Sequence, residues 1–207
     1  HDTLTQGLVG YWTFDDADMV QNVTDRSGQG NKGQLIGQTP TTTVSGKIGQ
    51  AENFDGSNDY VDMGSPAVLD DIVNFSYCSW INPRSVSASD WEIISTKYGA
   101  ATRWVVNVDN LRGPGLRINF FRAFSGNDGD WYGPSDATPL NTWSHVCVTY
   151  NKSSVDNDPI IYINGAPVTV TENITPTGTA DTDASDNFYV AFSSATRFFP
   201  GLIDEVP

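Results

Sequence analysis

Between Lys97 and Arg122 the chain concentrates five of its eleven basic residues, Lys97, Arg103, Arg112, Arg117 and Arg122, around a single acid, Asp109. The stretch is locally positive inside a chain whose formal net charge is −14. A period of two runs through it, so Leu116, Ile118 and Phe120 fall on one face and Arg117, Asn119 and Phe121 on the other. Likewise Trp104, Val106 and Val108 oppose Arg103 and Asn107. With the apolar sets turned inward, the outer face presents guanidinium, amide and aromatic groups. A guanidinium grips carboxylate or sulfate with its planar fork, and aromatic faces pack on pyranose rings, so this is a surface suited to sugars and their acidic substituents. The competing reading is that the arginines pair with loop aspartates. Trp131 and Tyr132, which follow Asp128-Gly129-Asp130, are expected on a loop spanning 127–134, where they either stack on a ligand or fold back over a sheet edge. Trp91 is a further candidate of this kind.

Other chemistry is sparse. Cys78 and Cys147 are compatible with one disulfide, which spacing alone does not establish. The two histidines, His1 and His145, are too few for a zinc site. No Gly-x-Ser-x-Gly nucleophile motif occurs. The 25 acidic residues are nearly all Asp, the glutamates being Glu52, Glu92, Glu172 and Glu205. Asp favours turns and hard-cation sites. Such acidity argues against nucleic acid, whose affinity depends on neutralising phosphates. No apolar run reaches the length of a membrane-spanning helix.

The elements that must position these groups read as strands: Leu8 to Phe14, Ala51 to Phe54, Tyr60 to Met63, Phe75 to Ile81, Glu92 to Lys97, Trp104 to Val108, Leu116 to Phe121, His145 to Tyr150, Ile160 to Ile163, Phe188 to Phe192 and Gly201 to Val206. No long stretch carries a 3.6-residue period. Turn formers fill the joints, and Asn164-Gly165 between apolar residues is the strongest hairpin signal. The segment from Thr171 to Asp186 is poor in apolar residues and is expected to be a long surface loop. At 207 residues this predicts one all-β domain over residues 1–207, an antiparallel β-sandwich of two packed sheets.

The order of several motifs resembles the laminin G-like, or concanavalin A-like lectin, jelly roll. They are Gly7-Leu8-Val9-Gly10-Tyr11-Trp12-Thr13-Phe14-Asp15, Asp25-Arg26-Ser27-Gly28 with Asn31, Gly46-Lys47-Ile48-Gly49-Gln50-Ala51, Phe54-Asp55-Gly56, Trp143 with His145-Val146, Tyr162-Ile163-Asn164-Gly165 and Pro200-Gly201-Leu202-Ile203-Asp204-Glu205-Val206. The resemblance implies two antiparallel sheets, one with a concave outer face. The family's last strand usually runs further than Pro207, so the domain is expected to be part of a larger protein. Pentraxins, a branch of this fold, are similar at Phe75 to Trp80 and His145 to Tyr150, which implies a Cys78–Cys147 bridge.

The resemblance also implies a structural calcium held by Asp15 or Asp16, by the Asp25 to Asn31 loop and by Asp204. The alternative is that Asp25 and Asn31 simply support a turn. Pentraxin-style calcium-bridged ligand binding is not implied, since Ala100-Ala101-Thr102-Arg103 and Ser193-Ser194-Ala195 stand where its acidic cluster belongs. The Glu and Asp pattern of hydrolases with this fold is absent, and His145 and Tyr150 do not lie in the motifs of its lyases. The expectation is a non-catalytic carbohydrate-binding module of a secreted or cell-surface protein, its ligand a polysaccharide or glycan with acidic groups. The expected ligand surface is Trp91, Arg103, Arg117, Asn119, Phe121, Trp131 and Tyr132. A protein-binding or adhesive spacer is the alternative.

Overall fold

A computed structural model describes residues 7–15, 22–37, 43–86, 91–112, 115–194 and 197–207. Asp16 and His1 lie outside them. The strands are β1 (Asn22–Val23), β2 (Gly33–Ile36), β3 (Val44–Ser45), β4 (Gln50–Asp55), β5 (Tyr60–Asp62), β6 (Asn74–Pro83), β7 (Glu92–Tyr98), β8 (Thr102–Asp109) and β9 (Arg117–Arg122). They continue as β10 (Gly129–Tyr132), β11 (Ser144–Asn151), β12 (Ile160–Ile163), β13 (Ala166–Pro167), β14 (Thr171–Ile174), β15 (Asn187–Val190), β16 (Phe192–Ser194), β17 (Arg197–Phe198) and β18 (Pro200–Asp204). Helical structure among the described residues is limited to a 3₁₀ turn at Ala67–Leu69.

One sheet runs β1-β2-β5-β15-β7-β8-β9-β10-β14 and the other β13-β12-β11-β6-β18-β4-β3, while β16 and β17 form a small ribbon. Every pairing is antiparallel, as the period-two pattern requires for a sheet with one buried and one outer face. The nine-stranded sheet sends Val61, Ile94, Val106, Val108, Ile118, Phe120, Phe188 and Val190 inward, against Phe54, Ile81, Val146, Val148, Ile161 and Ile203 of the seven-stranded sheet. The predicted hairpin forms at Asn164-Gly165, with φ of 52° and 82° and Ile163 paired to Ala166. Positive φ at both central residues is what a two-residue loop needs to match strand twist.

Cys78 and Cys147 sit directly opposite one another in the β6–β11 register and are disulfide-bonded. Their separation of 69 residues gives the bridge a contribution of roughly 4 kcal/mol at most in the chain-entropy account.

Three expected elements differ. From Leu8 to Phe14 there is no strand, only a bridge between Trp12 and Val206, because Gly7 and Phe14 take positive φ and break the extended chain at each end. Thr171 to Asp186, poor in apolar residues, is not all loop: Thr171–Ile174 adds an edge strand to β10 through backbone hydrogen bonds, leaving all four side chains exposed. Composition cannot report such a strand, since its side chains bury nothing. Trp131 and Tyr132 lie on strand β10, not on a loop, and Trp131 faces inward at 0% exposure. Its ring stacks on Phe120 at 5.9 Å and meets Tyr150 at 5.4 Å, and its indole N–H donates to Asp158 at 2.8 Å.

Candidate functional site

The pairing of β8, β9 and β10 fixes which side chains share the outer face of the nine-stranded sheet. Asn107 stands opposite Asn119, Asp109 opposite Arg117 and Val105 opposite Phe121 on β8 and β9. On β10, Tyr132 stands opposite Asn119 and Asp130 opposite Phe121. The register therefore brings Arg117, Asn119, Phe121 and Tyr132 together with Asn107, Asp109 and Asp130.

Most of the polar groups in this patch are tied down. Arg112, from the turn after β8, donates to both Asp109 and Asp130. Asn119 donates to Asp130 at 2.6 Å and to the Trp131 carbonyl at 2.9 Å, and Asn173 donates to Asp130 at 2.6 Å. The guanidinium groups of Arg112 and Arg117 lie 5.2 and 5.4 Å from the Tyr132 ring centre.

Two members are not tied down. Arg117 is 7% exposed, and its Nε and Nη1 have no hydrogen-bond partner among the described residues. Asn107 is 0% exposed, and neither its amide oxygen nor its amide nitrogen has one. Leaving a buried donor or acceptor unpaired costs about 1–3 kcal/mol, more for a charged group. Two such residues on adjacent strands of one face call for a further polar partner, water or ligand.

Lys97, Arg103 and Arg122 are paired with aspartates from outside this stretch. Arg103 donates to Asp186 at 2.7 Å and Asp181 at 3.2 Å, and these carboxylates raise its pKa. Arg103 is thus spent on loop aspartates and does not join the Arg117 patch. Arg122 and Lys97 point into the sandwich, where Arg122 meets Asp183 at 2.7 Å and Lys97 meets Asp70 at 2.5 Å. Of the five, Arg117 alone lacks an ion pair among the described residues.

Beside Phe121 the same face carries a hollow of about 120 Å³ lined by Trp91, Ile93, Thr102, Val105, Phe121, Ser193 and Arg197. Ile93 and Val105 make an apolar floor, and the Arg197 guanidinium lies 4.5 Å from the Trp91 ring centre. Arg197 arrives on the β16–β17 ribbon, whose Phe192 stacks on Tyr60 at 4.6 Å and so anchors the ribbon to the sheet. Sequence reasoning placed Trp91, Arg117, Asn119, Phe121 and Tyr132 on this surface but missed Asp130 and Arg197, which come from the neighbouring strand and the ribbon. Trp131, on the inward face, is removed from it.

The residues expected at a cation divide into two groups. Asp25 accepts from the backbone N–H groups of Tyr11, Ser27 and Asn31, at 3.0, 2.8 and 2.8 Å. Burial alone would raise its pKa, but these hydrogen bonds outweigh it and hold the carboxylate below its ordinary range. The Asn31 amide donates to the Val9 carbonyl at 2.7 Å. Asp25 and Asn31 thus make the hydrogen bonds that shape their loop. Asp15 and Asp204 instead flank the 46–50 loop: Asp15 accepts from the Gln50 N–H at 2.9 Å, and Asp204 Oδ2 from Lys47 and Ile48 at 2.8 and 2.9 Å. Asp204 is buried and its Oδ1 has no partner among the described residues. Burial, reinforced by the charge of Glu205, pushes its pKa up to about 6.

Comparison with known proteins agrees with this architecture. No curated sequence matches the chain. Domain 4 of AbnA, an extracellular arabinanase from Geobacillus stearothermophilus solved with arabinotriose, superposes with a TM-score of 0.62 at 18% identity, over 96% of this chain and 89% of that one. Trypanosoma rangeli sialidase superposes with a TM-score of 0.64 at 14% identity, over 97% of this chain but 30% of the sialidase. A structure concerned with ganglioside-dependent cell entry of botulinum neurotoxin type C gives 0.62 at 15%, over 96% of this chain and 46% of that one. At these identities the likenesses establish the fold. Residues 55–207, well over half the chain, match the sequence profile of the concanavalin A-like lectin/glucanases superfamily, and the chain belongs to that family.

Proposed function

We propose that this domain is a non-catalytic glycan-binding module of an extracellular protein, and that it holds its ligand on the outer face of the nine-stranded sheet. The observation that carries the reading is the pair Arg117 and Asn107, a cation and an amide left without partners among the described residues while the groups around them are satisfied. An unpaired guanidinium suits a carboxylate or sulfate, and an amide suits vicinal hydroxyls. Tyr132, Phe121 and Trp91 supply aromatic surface beside them. Arabinotriose and gangliosides, named for two structural relatives, are consistent with a glycan. The disulfide fits an oxidising, extracellular setting. Binding is preferred to cleavage because Asp109 and Asp130, the carboxylates of this patch, share Arg112 and are already engaged, whereas glycoside hydrolysis needs one carboxyl free to donate a proton. His145 lies on the other sheet.

Affinity electrophoresis through gels containing neutral or acidic polysaccharides tests this. An acidic glycan should retard the domain, and Arg117→Ala should weaken that retardation by roughly tenfold or more, the worth of a hydrogen bond to a charged group. Because Arg117 has no ion pair to lose, the variant should melt at or above the wild-type temperature. Retardation by no glycan would overturn the reading in favour of a protein-contact domain.

We further propose that Asp15 and Asp204 hold a structural calcium. The orphaned Asp204 oxygen and the adjoining acid Glu205 support it, and the ion would supply compensating charge to a buried carboxylate. Without an ion, the raised pKa of Asp204 means that ionisation opposes folding. Its contribution to stability is fully present below the unfolded value of 3.8 and is lost as pH rises through about 6, roughly 3 kcal/mol in all. In chelator, the domain should therefore gain from this group on moving from pH 7 to pH 5. Calcium at pH 7 should raise the melting temperature, and Asp204→Asn should raise it in chelator while abolishing the calcium response. A melting temperature indifferent to calcium would leave Asp204 as a loop support only.

A further inference from the structure

On the outer face of the seven-stranded sheet, His145 and Cys147 are two residues apart on β11 and point the same way, and Cys78 on β6 stands opposite Cys147. The two sulfurs and an imidazole nitrogen lie within 4.8 Å of one another, with Cys147 Sγ 3.9 Å from the His145 ring nitrogens. All three residues are half-buried, so the cluster is reachable from solvent. Trp80, opposite His145 in the register, packs its ring 5.0 Å from the imidazole and limits where it can swing.

We propose that reduction of the Cys78–Cys147 bridge converts this cluster into a binding site for a soft divalent cation of the zinc type, with both thiolates and His145 as ligands. As a disulfide the sulfurs cannot serve as thiolate ligands, so the site is masked in the oxidised domain. A phosphine reductant unmasks it: the S–S bond breaks, phosphorus gives up two electrons, and water supplies the oxygen of the phosphine oxide and the two thiol protons. Metal binding then releases both protons to solvent. Zinc prefers Zn–S distances of about 2.3 Å and Zn–N of about 2.0–2.1 Å in a tetrahedron, which sets its ligand atoms roughly 3.3–3.8 Å apart. The Cys147 sulfur and the His145 ring nitrogens, 3.9 Å apart, are close to that spacing, while the two bonded sulfurs must move apart on reduction, on one face of the β6–β11 strand pair. Three protein ligands leave a fourth position for water.

Cobalt(II) titration of the phosphine-reduced chain tests this, with circular dichroism recorded on the same samples. The expected result is one cobalt per chain, with thiolate-to-cobalt charge-transfer absorption and the visible bands of a tetrahedral ion, displaced by zinc. The oxidised chain should show neither. His145→Ala should keep the reduced fold but lose most of the affinity and the tetrahedral bands, and Cys147→Ser should abolish the charge-transfer absorption. Should reduction alone loosen the fold, zinc should restore it in the wild type and not in His145→Ala. Equal binding by the oxidised chain, no binding by the reduced chain, or unchanged spectra in His145→Ala would each overturn the proposal.

Discussion

Asp183→Ala is expected to cost about 3–5 kcal/mol, a large share of the roughly 5–15 kcal/mol that holds a domain folded. Lys97 and Arg122 each keep only 1% of their side chain exposed inside the sandwich. Asp183 Oδ2 takes Arg122 Nη1 at 2.7 Å, while Oδ1 lies 3.7 Å from Lys97 Nζ and accepts the Asp71 N–H at 2.7 Å. Lys97 would keep Asp70, but Arg122 would be left with the Asp181 carbonyl alone. Breaking one side of a buried pair strands a charge in a medium that cannot solvate it, which is why the loss exceeds the pair's own net worth. Removing both partners should therefore cost less than the single losses combined, and an Asp183→Ala, Arg122→Met cycle read by urea unfolding would show it. A loss below about 1 kcal/mol for Asp183→Ala would mean that water reaches Arg122.

The same ion pairs explain how far the site could be read from sequence. A period of two was enough to separate Ile118 and Phe120 from Arg117, Asn119 and Phe121, because strand geometry alone decides the faces. It also placed Trp104, Val106 and Val108 on the inner face of the same sheet and the right turn at Asn164-Gly165. It could not say which cations stay free. That depends on Asp181, Asp183 and Asp186, which return to cover Lys97, Arg103 and Arg122 from about 60–90 residues away. Most of the charge in the basic stretch pairs with aspartates, and Arg117 is left without an ion pair among the described residues. Asp25 and Asn31 show the same limit: spacing placed them in one loop but could not report the backbone groups that their side chains engage.

Trp131→Ala should destabilise the domain by about 3–5 kcal/mol, the usual range for truncating a buried tryptophan. The substitution opens a void against Phe120 and Tyr150 and leaves Asp158 without the indole N–H. The flanking Gly129 and Asp130 read as turn formers, yet Gly129 is there because a side chain at that position would collide with the Trp131 ring, 2.1 Å away. An aromatic between Asp and Tyr in a polar segment therefore belongs to the core. Any loss of glycan retardation in Trp131→Ala should follow loss of the fold, with both recovering together at lower temperature. Arg117→Ala should do the opposite, losing retardation while the unfolding midpoint holds. Measuring denaturant unfolding and retardation on both variants separates a residue that builds the sheet from one that the sheet presents; a Trp131→Ala variant that melts like wild type but no longer binds would return Trp131 to the ligand surface.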